Sequence, residues 1–264
     1  MQCKNCNSSL LDESDYCYSC GGKVIRNRLT LKNLFEHFSE TFLNYDNKFL
    51  QTFITLFKNP ENVIGSYING TRKKYVNVLS YFALALTITG LEWFILRKYF
   101  PDAIDLSNLD LGNNKNISNT VFQTIQENMS IIMMLFVPVY ALISRLVFFN
   151  RKEFNYTEHL VIFMYILAQL SIFGAILNII GAVIGTSLGQ LAYLNLPIQI
   201  LYSAYCLKRL YKLSLQGIIL RTLLFIGIFI ISYIVVIFAI VGIMFLIEGP
   251  DFFKKIMETQ QATG

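Results

Sequence analysis

Residues 160–183 read LVIFMYILAQLSIFGAILNIIGAV, without one charged side chain. A bilayer core of about 30 Å is crossed by roughly 20 apolar residues at 1.5 Å rise each, so this stretch is long enough to span a membrane. Four other stretches pass the same test: residues 76–96, 130–149, 188–207 and 222–247. The last exceeds the needed length and either spans with tilt or ends in the interface. Residues 160–183 and 188–207 are joined by almost nothing, which makes them two spans or a re-entrant pair. Gly181, Gly185 and Gly189 recur there at four-residue spacing, as close helix approach or a tight turn requires.

The whole chain supports a membrane class. Of its 264 residues 54% are hydrophobic and 15% charged, and the mean hydropathy is +0.49, whereas a soluble domain carries about a quarter charged residues. The net charge of +5 is explained by basic residues on one side of the membrane, which argues against nucleic acid as a partner. Ten Lys or Arg precede the first span, including Arg72, Lys73 and Lys74 at its edge. The connections after the second and fourth spans hold seven more, from Arg145 to Arg221. Few basic residues remain for the other side, where Asp102, Asp105, Asp110 and Glu127 lie. The positive-inside rule therefore predicts a cytoplasmic N-terminus, and an odd number of spans puts the C-terminus outside. The polar opening Met1-Gln2-Cys3-Lys4 lacks signal-peptide character, so insertion is expected to rely on the first internal span.

Ahead of the spans, Leu31, Leu34, Phe35, Phe38, Phe42, Tyr45, Phe49, Phe53, Leu56 and Phe57 share one stripe at helical spacing. This predicts one long amphipathic helix or two shorter ones, started by Thr30 and ended by Asn59-Pro60. It either packs on the protein's own spans or lies in the lipid interface. The segments expected are a head (1–28), an amphipathic juxtamembrane stretch (29–75), a five-span body (76–247) and a tail (248–264).

The head carries Cys3, Cys6, Cys17 and Cys20 as two C-x2-C pairs, with Gly21-Gly22 after the second. Four thiolates suit a tetrahedral Zn2+, with iron as a minor alternative. Disulfides are the other option, though a reducing cytoplasm favours metal. With all four positions filled by protein, such a site is structural and has no place for water or substrate. Cys206 reads as an apolar packing residue.

Within the spans, chemistry-bearing residues are few. His37 lies on the polar flank of the amphipathic helix, and neither it nor His159 has metal-ligand spacing. Glu158-His159 stands at the mouth of the third span, where the pair binds an ion or sits hydrated. Glu92, near the outer end of the first span beside Trp93, reads as snorkelling. Gln169, Asn178, Asn195 and Gln199, with Pro138 and Pro197, either line a cavity or hydrogen-bond neighbouring helices. Nucleotide-binding, serine-hydrolase and metalloprotease motifs are absent, so no enzyme is expected.

Several of these pieces together resemble a bacterial membrane-protein family, the domain of unknown function DUF3667, with a zinc-ribbon head and helical spans. The resemblance rests on the cysteine knuckles, on Phe53-Ile54-Thr55-Leu56-Phe57-Lys58-Asn59-Pro60 and on Tyr67-Ile68-Asn69-Gly70-Thr71-Arg72. Val137-Pro138-Val139-Tyr140-Ala141-Leu142, Tyr156-Thr157-Glu158-His159-Leu160-Val161 and Leu207-Lys208-Arg209-Leu210-Tyr211 extend it along the body. It implies topology and marks Pro60, Tyr67, Gly70, Arg72 and Glu158-His159, but brings no activity. Five spans with a cytoplasmic N-terminus also resemble Yip-type membrane proteins in architecture. The expected fold is thus an all-α polytopic membrane protein with about five transmembrane helices, a zinc-ribbon-like four-cysteine knuckle and an amphipathic helix. Its expected role is a zinc-bearing platform for a cytoplasmic protein partner or a second copy. The alternatives are a small-solute or lipid transporter with a polar cavity among spans three to five, and a metal-responsive regulator.

Overall fold

The computed structural model of the chain describes residues 1–11, 14–22, 24, 30, 48–104, 124–125 and 127–248, with side chains to 235 and at 238. The amphipathic stripe from Leu31 to Tyr45, His37, and the tail from 249 onward lie outside the described residues. Two compact units divide the chain, Met1–Asn47 and Lys48–Gly264.

Among its described residues the larger unit is built of helices and short connections, with no strand. It consists of α1 (Lys48–Lys58), α2 (Pro60–Ile68), α3 (Val78–Tyr99), a single turn α4 (Pro101–Ile104), α5 (Met129–Val147), α6 (Tyr156–Val183), α7 (Leu188–Leu210) and α8 (Leu215–Glu248). Four of these, α3, α5, α6 and α8, are long and apolar enough to cross a membrane, and they make this a multi-pass membrane protein. The expected fourth span is a helix, α7, but Gln190, Asn195, Gln199, Lys208 and Arg209 lower its apolarity and keep it out of that set. Among the described residues four candidate spans stand where five are expected, and a C-terminus outside, which rests on the odd count, loses its support. The contacts of α7 nevertheless return the chain along α6: Asn195 meets Asn178 near the end of α6, and Tyr211 meets His159 near its start.

The helix ends follow from local chemistry. Pro60, lacking a donor and fixing its own φ, ends α1 at Lys58 and starts α2 as its first residue. Gly70 takes φ +94 in the turn that closes α2, a conformation unfavourable for a side chain. Asn77 caps α3 by accepting from the Leu79 amide. Reciprocal capping boxes, Asn155 with Glu158 and Ser187 with Gln190, start α6 and α7. Between those two helices Gly185 adopts φ +81. A Cβ on Gly181 would overlap the Leu191 side chain, so the first glycine permits close approach and the second makes the turn.

α6 is the central helix: half of its most apolar stretch is buried in the protein, against 6% for α8. Tyr81, Tyr165, Phe163, Ile162 and Ile166 are fully or almost fully buried around it. α1 packs on this body through Leu56, Phe49, Phe53 and Phe57, which settles its C-terminal half in favour of intramolecular packing. Its terminal carbonyls, orphaned by the end of the helix, are met from afar. Tyr202 donates to Leu56 O at 3.1 Å and Tyr205 to Lys58 O at 2.7 Å, while the Asn59 amide takes Thr55 O. Arg209 then grips both Glu61 and, at 2.9 Å, the Asn59 side-chain oxygen.

Candidate metal centre and the polar sites of the spans

The head is one short motif used twice. In the first knuckle Cys3 N–H donates to Ser8 O at 2.9 Å and Asn7 N–H to Cys3 O at 2.8 Å. The second repeats this, with Cys17 N–H to Gly22 O and Gly21 N–H to Cys17 O, both at 2.8 Å. A flanking rung from Leu10 N–H to Met1 O at 2.7 Å recurs as Val24 N–H to Asp15 O at 2.8 Å. Asn7 and Gly21, each directly after the second cysteine of its pair, both occupy the left-handed region with φ 59 and 69. Asparagine and glycine are the residues that enter that region at least cost. The repeat buries Cys3 and Cys17 against Leu10 and Val24 and leaves Cys6 and Cys20 exposed.

The four sulfurs lie within 4.8 Å of one another. Cys3 and Cys20 Sγ are 3.7 Å apart, and Cys6 and Cys17 Sγ are 3.6 Å apart. A tetrahedral ion with metal–sulfur bonds of about 2.3 Å requires edges of about 3.8 Å, so the cluster has the size of a four-thiolate metal site. These separations are far beyond a disulfide bond of about 2.05 Å. The Ser8 hydroxyl, 3.0 Å from Cys6 Sγ and 3.2 Å from Cys17 Sγ, holds both thiols below their usual range. That of Cys17 falls to about 6, with the Cys20 amide as a further cause. A metal ligand must be deprotonated, and Ser8 favours that form. Asn5 Nδ2 lies 3.5 Å from Cys20 Sγ, a matching contact on the other pair.

The polar residues of the spans hold the helices together. Gln169, fully buried on α6, accepts from Tyr81 OH of α3 at 2.5 Å and donates to Phe53 O of α1 at 3.0 Å. Asn178 donates to Glu92 at 2.7 Å and accepts from Asn195 at 3.1 Å, linking α3, α6 and α7. Glu92 therefore does not snorkel as expected. A neighbour two spans further along the chain offers it a hydrogen bond inside the helix bundle, a partnership its own surroundings in sequence do not reveal. Gln199 stays exposed on α7.

Glu158 and His159 do not form a pair. Successive residues of a helix point about 100° apart, so Glu158 closes the capping box at 2.6 Å from the Asn155 amide. His159 turns fully inward, with Nε2 3.0 Å from Tyr211 OH. Its Nδ1 is buried without a hydrogen-bond partner among the described residues. The expected hydrated position is thus replaced by a buried one. Arg72 stands within the α2–α3 connection, its guanidinium 5.5 Å from the Tyr67 ring centre, and Tyr67 in turn meets Tyr165 edge to face.

One cavity of about 300 Å³ opens between α5, α6, α7 and α8. Of the four residues expected to line a polar cavity only Gln199 reaches it, and its walls are mainly apolar.

A multi-pass helical membrane protein with a four-cysteine cluster that could bind a metal ion is therefore the class that fold and site define. Residues 46–90 match the sequence model of the family described as protein of unknown function (DUF3667). That segment comprises α1, α2 and the first half of α3, the part of the bundle clipped by Gln169, Tyr202 and Arg209. No curated protein and no solved structure matches the chain.

Proposed function

We propose that the protein is a non-enzymatic membrane protein of the bacterial inner membrane whose zinc-bearing N-terminal head faces the cytoplasm and docks a protein partner or a second copy. The sulfur cluster carries this reading: two equivalent knuckles bring four thiols to the spacing of a tetrahedral ion. Zinc is favoured by the all-sulfur donor set and by the closed four-ligand geometry. Docking, not catalysis, is favoured because a site whose four positions all belong to the chain has none left for a substrate. The excess of Lys and Arg ahead of the first span supports the cytoplasmic side. A path for polar solutes has less support, since Gln169, Asn178 and Asn195 direct their amides to other helices.

Elemental analysis of the full-length protein purified in detergent, beside a Cys17→Ser, Cys20→Ser variant, tests the metal. One zinc per chain, lost in the variant, is the expected result; a metal-free wild type overturns the reading. Docking is tested by deleting residues 1–28 and comparing self-association and the specific partners retained. If every association survives the deletion, the platform role fails.

A further inference from the structure

The cavity between α5, α6, α7 and α8 is unrelated to the cysteine head. On α8 its wall is built from Ile218, Arg221, Thr222, Phe225, Ile226 and Phe229, positions i, i+3, i+4, i+7, i+8 and i+11 of one helical face. Opposite, α7 presents Gln199, Ser203 and Ala204 from a face of the same spacing. At 1.5 Å per residue each face runs roughly 16 Å along its helix, so the space is long and narrow. Most of its wall is aliphatic or aromatic, and the one cation lining it, Arg221, lies near the α8 start.

Arg221 is partly buried and rests 5.1 Å from the Phe148 ring centre. Its hydrogen bond, 3.4 Å to Gly217 O, occupies one of five guanidinium donors. No carboxylate pairs with it among the described residues. The acids nearby are engaged elsewhere: Glu153 pairs with Arg151 at 3.2 Å, and Glu158 with the Asn155 amide. A second guanidinium, Arg145, acts electrostatically on the same Tyr211 ring as Arg221 and has a buried Nη1 without a hydrogen-bond partner. Arg221 thus stands with free donors at one end of an apolar slot, and a second guanidinium acts on the Tyr211 ring beside it.

We propose that this slot holds an acyl chain of an anionic phospholipid from the surrounding bilayer, with the lipid phosphate paired by Arg221. The cavity is at the lower end of the roughly 300–1,000 Å³ of small-molecule sites. A packed helix about 10 Å across does not fit it. α8, buried over only 6% of its apolar stretch, is a far less covered wall of the slot than α5 or α6. Guanidinium recognition of a phosphate explains why charge stands at its end.

The test is native mass spectrometry of the full-length protein in detergent, with phosphatidylglycerol and phosphatidylcholine of identical chains added in competition. One phosphatidylglycerol per chain is expected to be retained in preference to phosphatidylcholine. Arg221→Gln should reduce that preference roughly tenfold, the worth of one charged hydrogen bond, while Arg221→Lys keeps part of it. Ala204→Phe, which fills the slot, should release both lipids, and Arg97→Gln at the other end of the bundle should change nothing. A photoreactive acyl chain should label Phe225 and Phe229 above the outward Leu220 and Leu223. Equal retention of the two lipids, an Arg221→Gln variant that behaves as wild type, or uniform labelling of α8 would mean annular lipid only and would overturn the proposal. Cross-linking of a second copy within the slot would overturn it as well.

Discussion

The head and the spanning unit achieve order by opposite means. Among the described residues of the head the apolar cluster is Leu10 and Val24 beside Cys3 and Cys17, little burial for a chain of that size. What marks it instead is four sulfurs converging on one point. In the spanning unit no single point dominates: tyrosines, amides and an arginine each join two or three helices over a broad apolar core. The first arrangement should fail all at once when one ligand pair is removed, the second by degrees.

Removing two sulfurs should therefore produce the largest effect. In Cys17→Ser, Cys20→Ser the head should lose its metal and fold together, because apparent binding free energies of structural zinc are on the order of 10 kcal/mol. Limited proteolysis should then cut within residues 1–24 while the thermal transition of the spans stays in place. If the spans melt early as well, the two units are coupled and the contrast is wrong. A moderate loss, about 2 kcal/mol, is expected for Gln169→Leu, which strands the Phe53 carbonyl and the Tyr81 hydroxyl. Unfolding in detergent measures it, and a change below the scatter of the assay would show that water or a neighbour replaces Gln169.

Ser8→Ala sharpens the contrast within the head. Loss of its hydroxyl should let the Cys17 and Cys6 thiols rise toward ordinary values, so metal loading shifts to higher pH and weakens roughly tenfold near pH 6. Metal titrations at two pH values check this. The smallest effect belongs to Glu61, whose carboxyl is held below its usual range by the hydrogen bonds of Arg209. A depressed carboxyl stabilises above its unfolded pKa, about 4.3, and this contribution disappears as pH falls through the lower folded value. Both side chains are partly in solvent, so screening limits Glu61→Gln to about 0.5 kcal/mol at neutral pH. The difference from wild type should vanish in acid.

Four of the five expected spans and the sulfur cluster were legible in the sequence because each depends on a local pattern. Apolar length specifies a crossing wherever the chain later packs, and C-x2-C pairs announce their geometry through spacing. The break at Asn59-Pro60 was equally local. Partnership was not legible: Glu92 looked solvated beside Arg97 and Lys98, and only the packing of α6 against α3 brings Asn178 to it. His159 was misplaced for a related reason, since adjacency in sequence is divergence on a helix. The doubling of the head was available in principle from the matching positions of Asn7 and Gly21, but unlike side chains hide a shared backbone conformation.

The clip that closes α1 also has a consequence for biosynthesis. Tyr202 and Arg209 meet Leu56, Asn59 and Glu61 across sequence separations of 146 to 150 residues. The ribosome has released α1 and α2 long before it makes α7, so Leu56 O and Lys58 O wait for their tyrosine donors, and Asn59 and Glu61 for Arg209, until the spans between are made. A chain truncated before α7 would keep the Gln169 contact to Phe53 O but lose the Tyr202, Tyr205 and Arg209 latch on the end of α1.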